Sequence, residues 1–313
     1  MMNRRHLLAG VTTTGALSAT ACAIGLNGQT ATAQDTNANP FRMKFAPHDG
    51  MFRHFAGDDI VDQIHFAADQ GFTAWEDNAM AGRPVETQIR IGEALAARNM
   101  EMGVYVAGMP DGFWRDQPVL SGDDPTHRDA FLTLIAQQAD TAKRVNAKWT
   151  TVVPGFADPR LPRGFQTAQI IDLLQRACDI YEPLGLTMVL EPLNTRRDHP
   201  GVFLTSVSQA YEICTAIDRP ECKILFDIYH EQIEYGNLIP TIDRAWDQTV
   251  YYQMADNPGR HEPGTGEINY GNVLRHIHDK GFDGIVGMEH SNAQPGQVGE
   301  QAVIDAYRRI DPA

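Results

Sequence analysis

Short apolar runs alternate with longer amphipathic segments from about residue 43 to residue 310. The run 186–190 (Leu-Thr-Met-Val-Leu) is typical of a strand buried on both faces, as strands of parallel sheets are. The longer segments have helical spacing, and glycines such as Gly71 and Gly281 follow their ends. Hairpin signals are absent, so the pattern predicts a parallel α/β fold.

The alternation predicts eight strand–helix units. The predicted strands are 43–45, 72–76, 102–106, 149–153, 187–191, 222–227, 250–253 and 284–289. The predicted helices are 58–70, 85–98, 126–146, 165–184, 207–217, 238–245, 270–280 and 299–309. Asp58 or Asp59 is the expected N-cap of the first helix. Eight units favour a single (β/α)8 TIM barrel over an open sheet.

Four consecutive predicted strands end on a side chain that carries oxygen. These residues are Glu191, Asp227, Gln253 and Glu289, at intervals of 36, 26 and 36 positions (227 − 191, 253 − 227 and 289 − 253). In a (β/α)8 barrel the carboxyl ends of the strands converge on the face that holds the active site. One such residue alone fits a strand cap or a solvated loop acid equally well. Four together predict a site for a divalent cation.

The loop 253–270 is the most specific stretch, because three glycines and two prolines set its path. It contains Pro258-Gly259-Arg260 and the run 262–270 (Glu-Pro-Gly-Thr-Gly-Glu-Ile-Asn-Tyr). Further motifs are 191–194 (Glu-Pro-Leu-Asn), 226–230 (Phe-Asp-Ile-Tyr-His) and 287–289 (Gly-Met-Glu). Together they resemble the hydroxypyruvate isomerase family, within the xylose-isomerase-like barrel superfamily. The resemblance runs from about residue 43 to the end and is densest between residues 191 and 289.

The resemblance implies a metal held by Glu191, Asp227, Gln253 and Glu289, one from each of the last four strands. It also implies that Glu191 and Glu289 act as the catalytic acid and base. The expected reaction interconverts hydroxypyruvate and 2-hydroxy-3-oxopropanoate (tartronate semialdehyde) through an enediolate that the cation stabilises. This ligand set contains no nitrogen or sulfur donor, so Mg²⁺ or Mn²⁺ is expected rather than Zn²⁺.

Charge balance suggests how an anionic hydroxycarbonyl substrate would be held. Three carboxylates and one divalent cation sum to −1, so the substrate needs a further cation, and Arg260 is the obvious one. His230 is expected to hydrogen-bond a substrate oxygen. The alternatives are a surface charge for Arg260 and a structural loop histidine for His230. Glu267 is expected to cap the helix after Ile268 rather than orient Arg260.

Other functions stay open at this point. His48 and Glu76 end the first two strands and either line the pocket or lie at the barrel rim. An exported sugar 3-epimerase or a keto-sugar lyase would use the same metal and the same two glutamates. A solute-binding protein would bind its ligand without turnover. An abasic-site endonuclease is excluded, because it would need more histidine ligands and a basic face for DNA, and this acidic chain lacks both.

Composition limits the partners. The chain has 26 Lys and Arg against 40 Asp and Glu, a formal net charge of −14, so we expect neither nucleic acid nor anionic membrane as a partner. A small hydroxycarbonyl compound is the expected substrate, and assembly into a homo-oligomer stays open. Cys178, Cys214 and Cys222 are too few and too scattered for a disulfide framework, so buried thiols are expected.

The first 33 residues have the pattern that is typical of an export signal. Arg4 and Arg5 precede a mildly apolar stretch rich in Ala, Gly and Thr, and 31–33 (Ala-Thr-Ala) forms a small-residue cleavage site. We therefore expect a twin-arginine signal peptide at 1–33, a disordered leader at 34–40 and the catalytic barrel at 41–313. The expected location is the periplasm, with the twin-arginine export machinery as a partner.

Overall fold

The structure is a computed structural model, and it describes residues 38–107 and 117–312. The predicted signal peptide and most of the predicted leader lie outside the described residues. So do Phe113 and Trp114 of the long loop 107–124, which follows the third predicted strand.

Parallel strands form the centre of the fold. They are β1 Lys44–Ala46, β2 Ala74–Trp75, β3 Glu101–Met102, β4 Tyr105–Val106, β5 Trp149–Val152, β6 Thr187–Leu190, β7 Cys222–Asp227, β8 Thr249–Gln253 and β9 Ile285–Gly287. Seven of them form one sheet in the order β1-β9-β8-β7-β6-β5-β4, and β2 pairs with β3. A parallel bridge between His48 and Glu76 joins the first two strand positions and closes the ring. The predicted TIM barrel is therefore confirmed.

The third strand was predicted as one segment, 102–106, but it is divided into β3 and β4. The break begins at Gly103, whose N–H still donates to the Trp75 carbonyl at 2.7 Å. Before the break the chain pairs with β2, and after it the chain pairs with β5. A side chain at position 103 would meet the Tyr251 hydroxyl at 2.4 Å, so the glycine leaves room for a side chain from β8.

Helices surround the strands. They are α1 Arg53–Ala56, α2 Ile60–Asp69, α3 Val85–Ala97, α4 Pro125–Val145, α5 Arg163–Tyr181, α6 Val207–Ile217, α7 Ile228–Glu234, α8 Leu238–Ala245, α9 Tyr270–Asp279 and α10 Gly296–Ile310. The predicted helices agree to within three residues, and Asp59 is the cap of α2. Helices α1 and α7 were not predicted. Within the described ranges, no helix has both the length and the apolar character needed to span a membrane.

Two apolar clusters hold the barrel together. The larger one lies between the strands and the helices. The smaller one contains Ala46, Ala74, Val104, Val189, Leu225, Tyr251 and Ile285. No helical residue belongs to this smaller cluster, which places it inside the ring of strands. It forms the floor beneath the carboxyl end of the barrel, where the predicted site lies.

Candidate active site and metal centre

Alternation along the strands places three predicted ligands on the inner face of the barrel. The inner cluster includes Val189 of β6, Leu225 of β7 and Tyr251 of β8. Two positions further along the chain are Glu191, Asp227 and Gln253. Side chains two positions apart on a strand share a face, so these three extend the inner cluster toward the carboxyl end.

Three carboxylates meet there with a histidine. Glu191, Asp227, His230 and Glu289 each offer one ligand atom, and these atoms all lie within 4.8 Å of one another. The three acids are called the carboxylate cluster below. Glu191 and Asp227 are only 7% and 2% exposed. One oxygen of Asp227 is committed to the backbone, because Oδ1 accepts from the N–H of Tyr229 at 2.8 Å and so caps α7.

Burial makes the negative charge of this cluster costly. Burial, followed by the nearby charges of Glu289 and Asp227, raises the pKa of Glu191 well above its usual range. Burial also raises the pKa of Asp227, although Arg260 opposes the shift. A divalent cation among these oxygens would offset both effects, so the electrostatics favour binding one.

Gln253 offers a further buried side-chain oxygen. Its side chain is fully buried, and its Nε2 donates to Glu76 Oε1 at 2.7 Å. Among the described residues, Gln253 Oε1 has no hydrogen-bond partner. A buried oxygen without a partner is costly unless an ion or a ligand completes it. Together with the carboxylate cluster, this oxygen gives the donor set that a hard divalent cation requires, so these residues could hold such a metal.

His230 is close enough to ligate a cation, but its hydrogen bonds favour another role. Its Nδ1 accepts from the backbone N–H of Asn194 at 3.2 Å, so the ring proton lies on Nε2. Burial lowers the pKa of His230 to about 3, so the ring is neutral. Nε2 lies 3.6 Å from Asp227 Oδ2 and 3.9 Å from Glu191 Oε1. A neutral ring with Nε2–H can donate a hydrogen bond at this position.

Two side chains hold the carboxylate of Glu289. Arg260 Nη2 donates to Oε2 at 2.8 Å, and Asn78 Nδ2 donates to Oε1 at 2.9 Å. The Arg260 guanidinium also lies 5.0 Å above the ring of Tyr229. Arg260 is thus a partly buried cation at the edge of the carboxylate cluster and not a surface charge.

These groups line a cavity of about 180 Å³. Its polar lining residues are Asn78, Thr151, Glu191, His199, His230, Arg260 and Glu289. Its apolar lining residues are Val106, Ala107, Phe131, Val152, Val153 and Leu193. The cavity is therefore suited to a small compound that has both polar and apolar parts.

The structure also shows the contacts of Glu267 and His48. Glu267 does not cap the following helix, because Asn269 does so by accepting from the N–H of Asn272. Glu267 instead accepts from the side chain of Asn257 at 2.9 Å. His48 bonds the carbonyl of His290 through Nε2 at 3.0 Å.

Three contributing residues were not singled out from the sequence as part of the site. Asn78 binds Glu289, Asn194 holds His230, and Tyr251 donates to Glu76 at 2.8 Å. The sequence did contain a signal for two of them. Asn78 lies just beyond the second predicted strand, and Asn194 belongs to the motif 191–194. The hydroxyl of Tyr251 reaches across the barrel, which no local pattern indicates.

Comparison with known proteins agrees with this geometry. The family model of the xylose isomerase-like TIM barrel matches residues 64–310. Hydroxypyruvate isomerase of Escherichia coli K12 is 28% identical over 254 residues, covering 80% of this chain and 94% of that protein. 2-oxo-tetronate isomerase of Pectobacterium atrosepticum is 28% identical over 251 residues, covering 79% and 92%. The structure of an AP endonuclease of family 2 from Brucella melitensis has a TM-score of 0.71 at 25% identity, covering 82% of this chain and 96% of that one.

The fold and the site define an enzyme of the isomerase class, built on a TIM barrel with a site that could hold a metal. The chain belongs to the xylose isomerase-like TIM-barrel family. The family resemblance noted from residues 191–289 is thereby confirmed.

Proposed function

We propose that this enzyme interconverts hydroxypyruvate and 2-hydroxy-3-oxopropanoate. The observation that carries the proposal is the pairing of two glutamates, Glu191 and Glu289, beside one partly buried guanidinium in a small cavity. The glutamates suit proton transfer, and the guanidinium suits a substrate carboxylate. The names of the relatives from E. coli and P. atrosepticum, both isomerases, support the same reaction class.

The two glutamates move the protons. One carboxylate removes a proton from C3 of hydroxypyruvate, and the electrons of that bond form a C2–C3 double bond while the carbonyl oxygen becomes the enediolate oxygen. The other glutamate delivers a proton to C2, and the C3 hydroxyl proton passes to O2. The product is 2-hydroxy-3-oxopropanoate. The first glutamate ends this step protonated and the second ends it ionised, and proton exchange with water restores both, so protons and electrons balance.

The neighbouring residues bind and orient the substrate. Arg260 exchanges part of its contact with Glu289 for the substrate carboxylate, which it can hold through two parallel hydrogen bonds. His230 donates from Nε2 to a substrate oxygen. Residues Glu191, Asp227, Gln253 and Glu289 would hold Mg²⁺ or Mn²⁺, which supplies a positive charge that stabilises the enediolate.

Isotope exchange tests the proposal. The enzyme is incubated in D₂O with hydroxypyruvate, with free ketohexoses and with 3-keto-glycosides, each with Mn²⁺ and with EDTA. We expect deuterium at the reacting carbon of hydroxypyruvate and its loss with EDTA. Faster exchange into a ketohexose would favour a sugar 3-epimerase, and elimination from a 3-keto-glycoside would favour a lyase. Tight binding without exchange or need for metal would indicate a solute-binding protein.

We also propose that nucleic acid is not a substrate. The net charge of −14 would repel a polyanion, although one structural relative carries an endonuclease name. Incubation with an abasic-site duplex should therefore give no cleavage and no salt-dependent binding.

Export through the twin-arginine route is a separate proposal. It rests on Arg4 and Arg5 ahead of the apolar stretch and on the small residues at 31–33. We expect the double variant Arg4→Lys/Arg5→Lys to accumulate in the cytoplasm, as followed by cell fractionation. An unchanged periplasmic yield would contradict this route.

A further inference from the structure

Glu76 is a buried carboxylate that the proposed proton transfers do not use. It is 1% exposed and directly follows β2 at the carboxyl end of the barrel. Its Oε1 accepts from Gln253 Nε2 at 2.7 Å, and its Oε2 accepts from the Tyr251 hydroxyl at 2.8 Å. Both donors come from β8, across the barrel. The carboxylate is thus fully engaged by two side chains of the same strand.

The barrel leaves room for this carboxylate. A Cβ atom at Gly287 would lie 1.9 Å from Glu76 Oε2 and 3.0 Å from Gln253 Cγ. Gly287 is the register partner of Gln253 on the neighbouring strand. Any side chain at position 287 would therefore displace Glu76, Gln253 or both. A glycine at this position is what allows the two side chains to meet.

The hydrogen bond to Glu76 decides which way the Gln253 amide faces. Glu76 Oε1 accepts this bond at 2.7 Å, so the amide end next to it is the NH₂ group. The carbonyl oxygen then occupies the other end, where it is buried and has no partner among the described residues. A rotation of the amide would exchange the two ends, and an NH₂ group cannot ligate a cation.

We propose that Glu76 is a positioning residue that keeps the Gln253 carbonyl oxygen available to the cation and thereby sets the affinity of the site for divalent metal. The inference rests on the proposed metal site but adds a residue outside its ligand set. Its expected effect follows from the rule that groups holding a metal ligand in place change metal affinity about 10–100-fold when they are removed.

Glu76 could also act by charge alone, since Glu289 and Asp227 lie close enough for their charges to raise the pKa of Glu76. A double-mutant comparison separates the two effects. Mn²⁺ affinity is measured by calorimetry for the wild type, Glu76→Met, Gln253→Ala and the double variant. If Glu76 acts through Gln253, Glu76→Met should lower Mn²⁺ affinity about 10–100-fold in the wild type. In the Gln253→Ala background it should lower the affinity by less than about twofold.

Two further variants complete the experiment. Glu76→Gln keeps an acceptor for the Gln253 amide, so it should restore part of the affinity that Glu76→Met loses. Tyr251→Phe removes the other hydrogen bond of Glu76 and leaves the amide contact in place, so it should change the affinity little. Thermal unfolding of the metal-free proteins shows whether each variant is folded.

Three results would overturn the inference. An equal loss in both backgrounds would mean that Glu76 acts by charge, and no loss in either would mean that it does not act on the metal. If Glu76→Met does not fold, Glu76→Gln takes its place in the comparison. An equal loss of Mn²⁺ affinity from Glu76→Gln in the wild type and in Gln253→Ala would likewise mean that Glu76 acts by charge. If the wild type did not bind Mn²⁺ at all, the proposed metal site itself would be wrong. That result differs from the three above, in which the wild type binds Mn²⁺ but Glu76 does not act through Gln253.

Discussion

The two ends of strand β7 bury chemically opposite groups. At its start, the thiol of Cys222 lies within hydrogen-bonding reach of Cys178 and Cys214, and all three side chains are fully buried and unpaired by disulfides. At its end, five positions later, Asp227 joins the carboxylate cluster. One end buries thiols, and the other concentrates negative charge away from water.

The difference shows how one strand can serve stability and function separately. Contacts with the neighbouring thiols, and burial, keep the pKa of Cys222 well above its usual range, so the Cys222 thiol stays uncharged and its burial costs little. Burial of the carboxylates at the other end is unfavourable without a cation. In TIM barrels the carboxyl end carries the chemistry and the amino end the stability. Substitutions at the two ends should therefore affect different measurements.

The largest expected effect is on turnover at the carboxyl end. Glu191→Gln and Glu289→Gln each keep an oxygen for a metal but remove a group that accepts a proton. Each should lower kcat roughly 10²–10⁴-fold, the usual contribution of general acid–base catalysis. Metal content, measured on the same samples, should change much less. Turnover near that of the wild type with metal bound would contradict the role of the two glutamates.

The amino end should show the reverse behaviour. Cys222→Ser places a hydroxyl among apolar groups and weakly polar thiols, which should lower the free energy of unfolding by about 1–3 kcal/mol. The turnover per folded molecule should not change. Urea unfolding measures the first and steady-state kinetics the second. Cys222→Ala, which introduces no polar atom, is the matched control, and a loss of turnover in either variant would remove the contrast between the two ends.

Arg260→Lys tests the edge of the carboxylate cluster. Lysine keeps the positive charge but cannot form two parallel hydrogen bonds to a carboxylate. Loss of one charged hydrogen bond is worth about 1.5–3 kcal/mol, so KM for hydroxypyruvate should rise roughly tenfold or more. KM for a neutral ketose should change little. An equal rise for both substrates would show that Arg260 acts through Glu289 and not through the substrate.

Much of the fold was accessible from the sequence because it depends on local periodicity. Helices α6 and α8 lie at the predicted positions, since their apolar spacing and their ends are local signals. Helix α7 was missed because it begins directly after β7, without a loop. Asp227 both ends the strand and caps the helix. The glycine at the break in the third strand makes room for Tyr251, which lies 148 positions later (251 − 103).

In the site, too, features set by local pattern could be predicted and contacts between distant residues could not. The positions of Glu191, Asp227, Gln253 and Glu289 at the ends of strands could be predicted, because barrel topology brings such ends together. Their hydrogen-bond partners could not. Glu76 and Gln253 are 177 positions apart in the chain. The proton position on His230 likewise depends on Asn194, 36 positions away. Such pairings depend on side-chain directions that no local pattern contains.

The smallest expected effect is a gain in stability at the carboxyl end. In the metal-free protein, Glu191→Gln removes a buried acid whose charge repels Glu289 and Asp227. The glutamine side chain has nearly the same shape as the glutamate side chain, and it is neutral without taking up a proton. The variant should therefore unfold at a higher temperature than the wild type when both are free of metal. A gain on the order of 1 kcal/mol corresponds to about 2–4 °C in Tm for a domain of this size.

With excess Mn²⁺, the wild type should instead have a higher Tm than Glu191→Gln. The cation stabilises the wild type more, because it interacts with a charged carboxylate at position 191 and only with a neutral amide in the variant. Scanning calorimetry of both proteins with EDTA and with Mn²⁺ gives all four values. If Glu191→Gln lowered Tm in EDTA as well, Glu191 would contribute to folding through contacts other than its charge. The carboxyl end would then share the stabilising role assigned to the thiols at the other end of the barrel.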